Sequence, residues 1–246
     1  AVLFTINRLQ VPAAQAWIPA GLAVLAALLI WVFIRHESRS PAPILPLGLF
    51  RRWDFTGIAV ANGLVAFSGF AVMLIAPYFL LRLTHLDVTM AGLVLATSPL
   101  GVAVISARAG WLIEKLGARR TAALAAALTA IGLAGIGLWP AYPGPVAMVV
   151  PLFLTGAGLG LFQVSSMDVI TGTMSLAERG VAGGLAQVTR TVGVITAASL
   201  LSLAFATLGG GRDVTDEAFL HAFGWLFLAA ALPPALVAVA MLRAKR

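Results

Sequence analysis

Seven long apolar runs constrain this chain more than anything else in it. They lie near residues 17–34, 55–81, 89–107, 121–140, 146–173, 181–208 and 219–242. Each meets the roughly 17–25 mostly apolar residues needed to cross the hydrocarbon core of a bilayer. A water-facing fold of 246 residues has no interior large enough to hide them all. The composition agrees, with 61% hydrophobic against 10% charged residues and a mean hydropathy of +1.01. Those values lie outside the range of soluble globular domains. In lipid, every backbone N–H and C=O must find its partner within the protein, which for runs of this length means helices. The expected fold is therefore all-α: a polytopic membrane helix bundle of seven transmembrane helices.

The net charge of +7 would suggest nucleic acid in a soluble protein, but its placement argues otherwise. If the connectors alternate, one side carries Arg35, Arg39, Arg51, Arg52, Arg108, Lys115, Arg119, Arg120, Arg179, Arg243, Lys245 and Arg246. The other carries Arg8, Arg82 and Arg212, and Arg190 stays in the membrane. The positive-inside rule makes the first side cytoplasmic, and with it the C-terminus. The basic balance is a topology signal, and the partner it implies is the lipid bilayer, not nucleic acid. Cysteine is absent, so there is no disulfide framework, thiolate metal site or cysteine nucleophile to expect. The chain opens without methionine inside the apolar run Ala1-Val2-Leu3-Phe4-Thr5-Ile6, which reads as the end of a truncated helix.

Charge in the middle of the chain concentrates at Gly110-Trp111-Leu112-Ile113-Glu114-Lys115-Leu116-Gly117-Ala118-Arg119-Arg120, a connector between two spans. Its glycines, Gly110 and Gly117, read as turn and close-approach positions, and Lys115, Arg119 and Arg120 as a headgroup anchor. Elsewhere small residues mark helix contacts: Gly156 and Gly160 at i, i+4, and Gly180 with Gly184 at the start of a later span. The run around Gly156 is not a dinucleotide fingerprint, because Leu161 stands where the third glycine belongs and no strand precedes it. Asn62, Ala66, Gly69 and Met73 share one helical face, which is either a cavity-lining stripe or a packing face. Gly180, Gly183, Gly184, Gln187, Arg190, Thr191 and Val194 share another.

Asp168 and Arg190 are the ionisable side chains placed well inside the membrane. Each costs about 2.5–3.5 kcal/mol at a helix centre on insertion scales, so each should face protein or water and have a partner. Their helices turn near residue 177. At 1.5 Å per residue the two depths differ by about 6 Å, which puts a mutual ion pair within reach. Two readings follow: a titrating carboxylate with Arg190 as charge partner or substrate anchor, or a structural pair locking two helices. Gln163 is about 140° from Asp168 around the helix, so the two do not build one obvious polar pocket.

Other seven-span functions fail at the residue level. Retinal chemistry needs a mid-membrane lysine, but Lys115 and Lys245 lie in a connector and in the tail. An intramembrane protease needs a Ser–His pair or two aspartates, whereas His36, His85 and His221 lie at or outside the boundaries and Asp168 stands alone. No residues are available to build a catalytic centre, a cofactor site or a metal site, so an enzyme is not expected.

Three stretches resemble the major facilitator superfamily, and within it the fourteen-span drug:proton antiporters of the EmrB/QacA type. The Gly110–Arg120 connector is similar to the superfamily loop Gly-x-Leu-Ala-Asp-Arg-x-Gly-Arg-Lys, with Glu114 in place of Asp and Lys115 in place of Arg. The stretch Glu37–Phe55, with Pro41, Pro43 and Pro46 followed by Leu49-Phe50-Arg51-Arg52, is similar to the linker that leads into the last six helices. Arg179, Gly180, Ala182, Gly184, Leu185, Arg190 and Gly193 match a helix of those antiporters that reads Arg-Gly-x-Ala-x-Gly-Leu and later Arg-x-x-Gly. The resemblance implies one central helix within 1–34, a cytoplasmic linker at 35–54, a C-terminal six-helix transporter bundle at 55–242 and a basic tail at 243–246. It also implies a bacterial inner-membrane location, a missing N-terminal half as partner, a proton gradient in place of any cofactor, and efflux of hydrophobic or cationic compounds by alternating access. Gly110, Glu114, Lys115, Gly117, Arg119 and Arg120 would form its gating loop. The competing expectation is a non-transporting seven-span scaffold or sensor.

Overall fold

The computed structural model describes residues 28, 31, 32, 35, 36, 53–84, 86–176, 178–208 and 214–243. The first expected span, the linker at 35–54 and the basic tail fall largely outside these residues. Seven helices can be followed through: α1 (Trp53–Leu83), α2 (Val88–Ser106), α3 (Ala109–Leu116), α4 (Ala118–Gly137), α5 (Pro145–Thr173), α6 (Arg179–Thr207) and α7 (Asp216–Arg243). All but α3 are long and apolar enough to cross a membrane, and they coincide with the six later runs read from the sequence.

Local chemistry sets the helix ends. The Asp87 carboxylate caps α2 by accepting the Met90 N–H at 3.1 Å. Pro145 opens α5, where a missing N–H costs nothing, and Asp216 and Glu217 sit at the positive end of the α7 dipole. In the sequence the adjacent Pro233 and Pro234 read as a helix break, but α7 runs through both prolines. Packing against neighbouring helices sustains a proline-containing helix in an apolar medium.

Short connectors make the six spans alternate. One end gathers Arg108, Lys115, Arg119, Arg120, Arg179 and Arg243, with Glu114 and Glu178. The opposite end holds Arg82 with Asp87, Asp216 and Glu217. At that opposite end an aromatic cluster ties α1 and α7 to the connector between α4 and α5. The Phe79 ring lies 4.5 Å from Phe223 and 5.1 Å from Trp139, and Phe227 lies 4.7 Å from Phe223. Trp139 donates its indole N–H to the Ala147 carbonyl at 2.8 Å, so its polar atom is satisfied. A second apolar cluster, including Phe55, Ile58, Ala126, Leu161, Phe162 and Val237, fills the basic end.

α4 packs chiefly on α5 and α7, α2 on α5, and α1 on α6. Where α2 crosses α5, a Cβ on Gly156 would run into the Ser98 carbonyl, and one on Gly160 would lie 2.8 Å from the Val102 carbonyl. No larger residue fits at that separation, as is usual where membrane helices approach through small residues. Gly180 and Gly184 differ from the packing role read from their spacing: both are exposed and face open space.

Candidate functional site

The six spans are not equally enclosed. α2 and α6 are the least buried of them. Together with the adjoining faces of α1 and α5 they wall an open cleft made of two connected cavities.

The larger cavity, about 790 Å³, is mostly apolar and is walled by Val65, Phe70, Met73, Leu95, Val102 and Phe162, among others. Ala66 and Gly69 line it as well, so the whole Asn62, Ala66, Gly69, Met73 stripe faces this space. The smaller cavity, about 550 Å³, is polar: Gln163, Ser166, Asp168, Thr171, Gln187 and Arg190 line it. Both volumes fall in the roughly 300–1,000 Å³ range of small-molecule sites. Asn62, Gln163 and Arg190 belong to both cavities and form the junction between them.

Two expectations are corrected here. Gln163 and Asp168 line the same cavity despite their angular separation, because the cleft is broad enough to reach around α5. Asp168 and Arg190 also share that cavity, yet no ion pair joins them among the described residues. The depth argument placed them at similar heights, and their side chains meet open space instead of each other. The half-buried Arg190 guanidinium therefore faces the cleft without a carboxylate on it, and the Asp168 side chain is exposed within the same cleft.

Asn62 plays a different part. Its side chain is 8% exposed, and its amide donates to the Ala186 carbonyl at 2.9 Å, pinning α1 to α6. Gln163 and Gln187 are exposed on the cleft face.

The basic connector between α2 and α4 is mostly helix. Gly110 lies inside α3 with open space in front of it, so it is neither a turn nor a close-approach position. Of the two glycines it is Gly117, at φ 82° and ψ 148°, that turns the chain, joining α3 to α4. Glu114, Lys115, Arg119 and Arg120 are exposed, and the Lys115 ammonium sits 4.0 Å from the centre of the Trp111 ring.

A clamp at the opposite end was counted in the sequence only as a topology charge. Arg82 donates from Nε to the Asp216 carboxylate at 2.9 Å, donates from its terminal nitrogen to the Val214 carbonyl, and lies 4.7 Å from the Phe219 ring. Residues 82 and 216 are 134 positions apart, and only the alternation of spans places them at one end.

The profile of the Major Facilitator Superfamily matches residues 58–246. The chain belongs to the major facilitator superfamily. Over 187 residues it is 30% identical to the uncharacterized transporter YebQ of Escherichia coli, covering 76% of this chain and 40% of that protein. Over 201 residues it is 27% identical to the drug efflux pump JefA of Mycobacterium tuberculosis, covering 80% of this chain and 39% of the pump. The chain thus spans about 40% of the length of these relatives. Its fold is similar to that of the nucleoside transporter NupG, with a TM-score of 0.67 over 97% of this chain and 62% of the other, at 14% identity. The superfamily assignment makes this a multi-pass membrane protein of a transporter family.

Proposed function

We propose that this chain supplies one half of a proton-coupled efflux transporter of the bacterial inner membrane, with its C-terminus cytoplasmic. The observation that carries the reading is the cleft, which joins an apolar cavity to a polar one holding two ionisable groups on the most open face of the bundle. A second helical bundle closes the cleft into a central chamber, and the two bundles rock about it to give alternating access. The similarity to a drug efflux pump supports export as the direction, and the apolar walls of the larger cavity support a largely apolar compound as cargo.

Two sets of residues take roles in this cycle. At the cytoplasmic end Glu114, Lys115, Arg119 and Arg120, all exposed, pair with the second bundle in one state and release it in the other. Within the cleft Asp168 is the carboxylate that lines the polar cavity, and the coupling role is assigned to it. We predict that Glu114→Ala combined with Arg119→Ala in the full-length protein abolishes export from cells while leaving membrane insertion intact; unchanged efflux in an accumulation assay would remove the latch. Asp168→Asn should halt efflux driven by a pH gradient and spare energy-independent counterflow in vesicles. Loss of both together would assign Asp168 to structure or cargo binding instead of coupling.

A further inference from the structure

We infer that Arg190 is the anchor for an anionic group on the transported compound, so that the preferred cargo is an amphipathic organic anion with a carboxylate beside an apolar body. The inference rests on the transport reading above and names its substrate class. Arg190 lies where the two cavities meet, half-buried and lining both. No hydrogen bond or ion pair engages its guanidinium among the described residues, and the carboxylate that shares its cavity, Asp168, does not pair with it. A half-buried cation with no ion-pair partner, set beside an apolar wall, favours an incoming anion, since the electrostatic gain there exceeds that in bulk water. The planar guanidinium fork matches a carboxylate in two parallel hydrogen bonds.

The surroundings decide between classes of compound. On one side of Arg190 lie Phe70, Met73, Leu95 and Phe162, an apolar wall sized for an aromatic or aliphatic body. Asn62 is neutral, and one of its two amide N–H groups is held by the Ala186 carbonyl, so it adds no charge to the junction. Gln163, at the same junction, is neutral and orients polar groups of either sign. Asp168 lines only the polar cavity, so it stands apart from the apolar wall that would hold the cargo body. A lipophilic cation in the larger cavity would meet Arg190 as its nearest lining charge and be repelled.

Three probes with one apolar body separate these cases: 1-naphthylacetate, the cation (1-naphthylmethyl)trimethylammonium and neutral 1-naphthylmethanol. Equilibrium binding of each radiolabelled probe is measured on the full-length transporter in nanodiscs, and uptake into everted vesicles carrying that full-length protein is measured separately. The expected result is tightest binding of the carboxylate, weakened at least about ten-fold by Arg190→Gln, with Arg190→Lys intermediate and the neutral probe unchanged throughout. Cation binding equal to or tighter than that of the carboxylate, or carboxylate binding unaltered in Arg190→Gln, overturns the inference. Equal loss of neutral-probe binding in Arg190→Gln also overturns it, because that marks a structural residue. Binding that follows this pattern with no uptake of any probe contradicts the transport reading and leaves the anion site standing.

Discussion

Asn62 and Gln163 sit at the same junction, yet their side chains do different work. Asn62 is buried and donates to a backbone carbonyl on α6, whereas Gln163 is exposed to the cleft. Replacing Asn62 by leucine removes a buried bond worth about 1 kcal/mol, and Gln163→Leu removes none within the bundle. Thermal unfolding in detergent should therefore fall for Asn62→Leu and hold for Gln163→Leu; equal losses would contradict the assignment. The same logic applies to Arg82. Asp216 is 69% exposed, so the coupling measured by a double-mutant cycle should stay below about 1 kcal/mol. Arg82→Ala should cost more than Asp216→Ala, since it also gives up the Val214 carbonyl and the Phe219 ring. These residue roles were only partly legible in the sequence. Polarity inside an apolar run identified Asn62, Asp168 and Arg190 as unusual, but which atom each meets depends on helix rotation, and a spacing argument does not fix that angle.

The elements were far more legible, because length and hydropathy in a membrane leave few alternatives to a helix. All six later runs became spans, within a few residues of their expected limits. The misreadings fall where composition is ambiguous between turn and helix. Gly110 and the Pro233-Pro234 pair looked like interruptions and lie within α3 and α7. Gly117 is the true turn, with a backbone conformation essentially confined to glycine. Within one connector, then, the two glycines should respond oppositely. Gly117→Val should destabilise by about 1–3 kcal/mol. Gly110→Ala, in an exposed helical position with room for a Cβ, should be neutral or stabilising by up to about 1 kcal/mol. Unfolding temperatures of the two variants check this, and equal destabilisation would mean that Gly110 is not in a helix.

At the scale of the whole molecule, the layout places tightly packed α4 and α7 behind a cleft formed by α1, α2, α5 and α6. That layout was legible only through the family resemblance, since phenylalanine, leucine and methionine line a cargo cavity and fill a helix interface equally well. The orientation rests on charge asymmetry, and tags at positions 212 and 246 should be accessible from opposite faces of the membrane. The central claim is that the cleft is an aqueous, cargo-binding space and not a lipid-facing groove. The absence of native cysteine makes a direct measurement practical. Single replacements Gln187→Cys, in the polar cavity, and Leu232→Cys, on an exposed face of α7 away from it, are treated in membranes with a membrane-impermeant maleimide. The account predicts rapid labelling of Gln187→Cys, slowed by an exported compound, and little labelling of Leu232→Cys. Equal labelling at both positions, or labelling of Gln187→Cys that no compound slows, would contradict it.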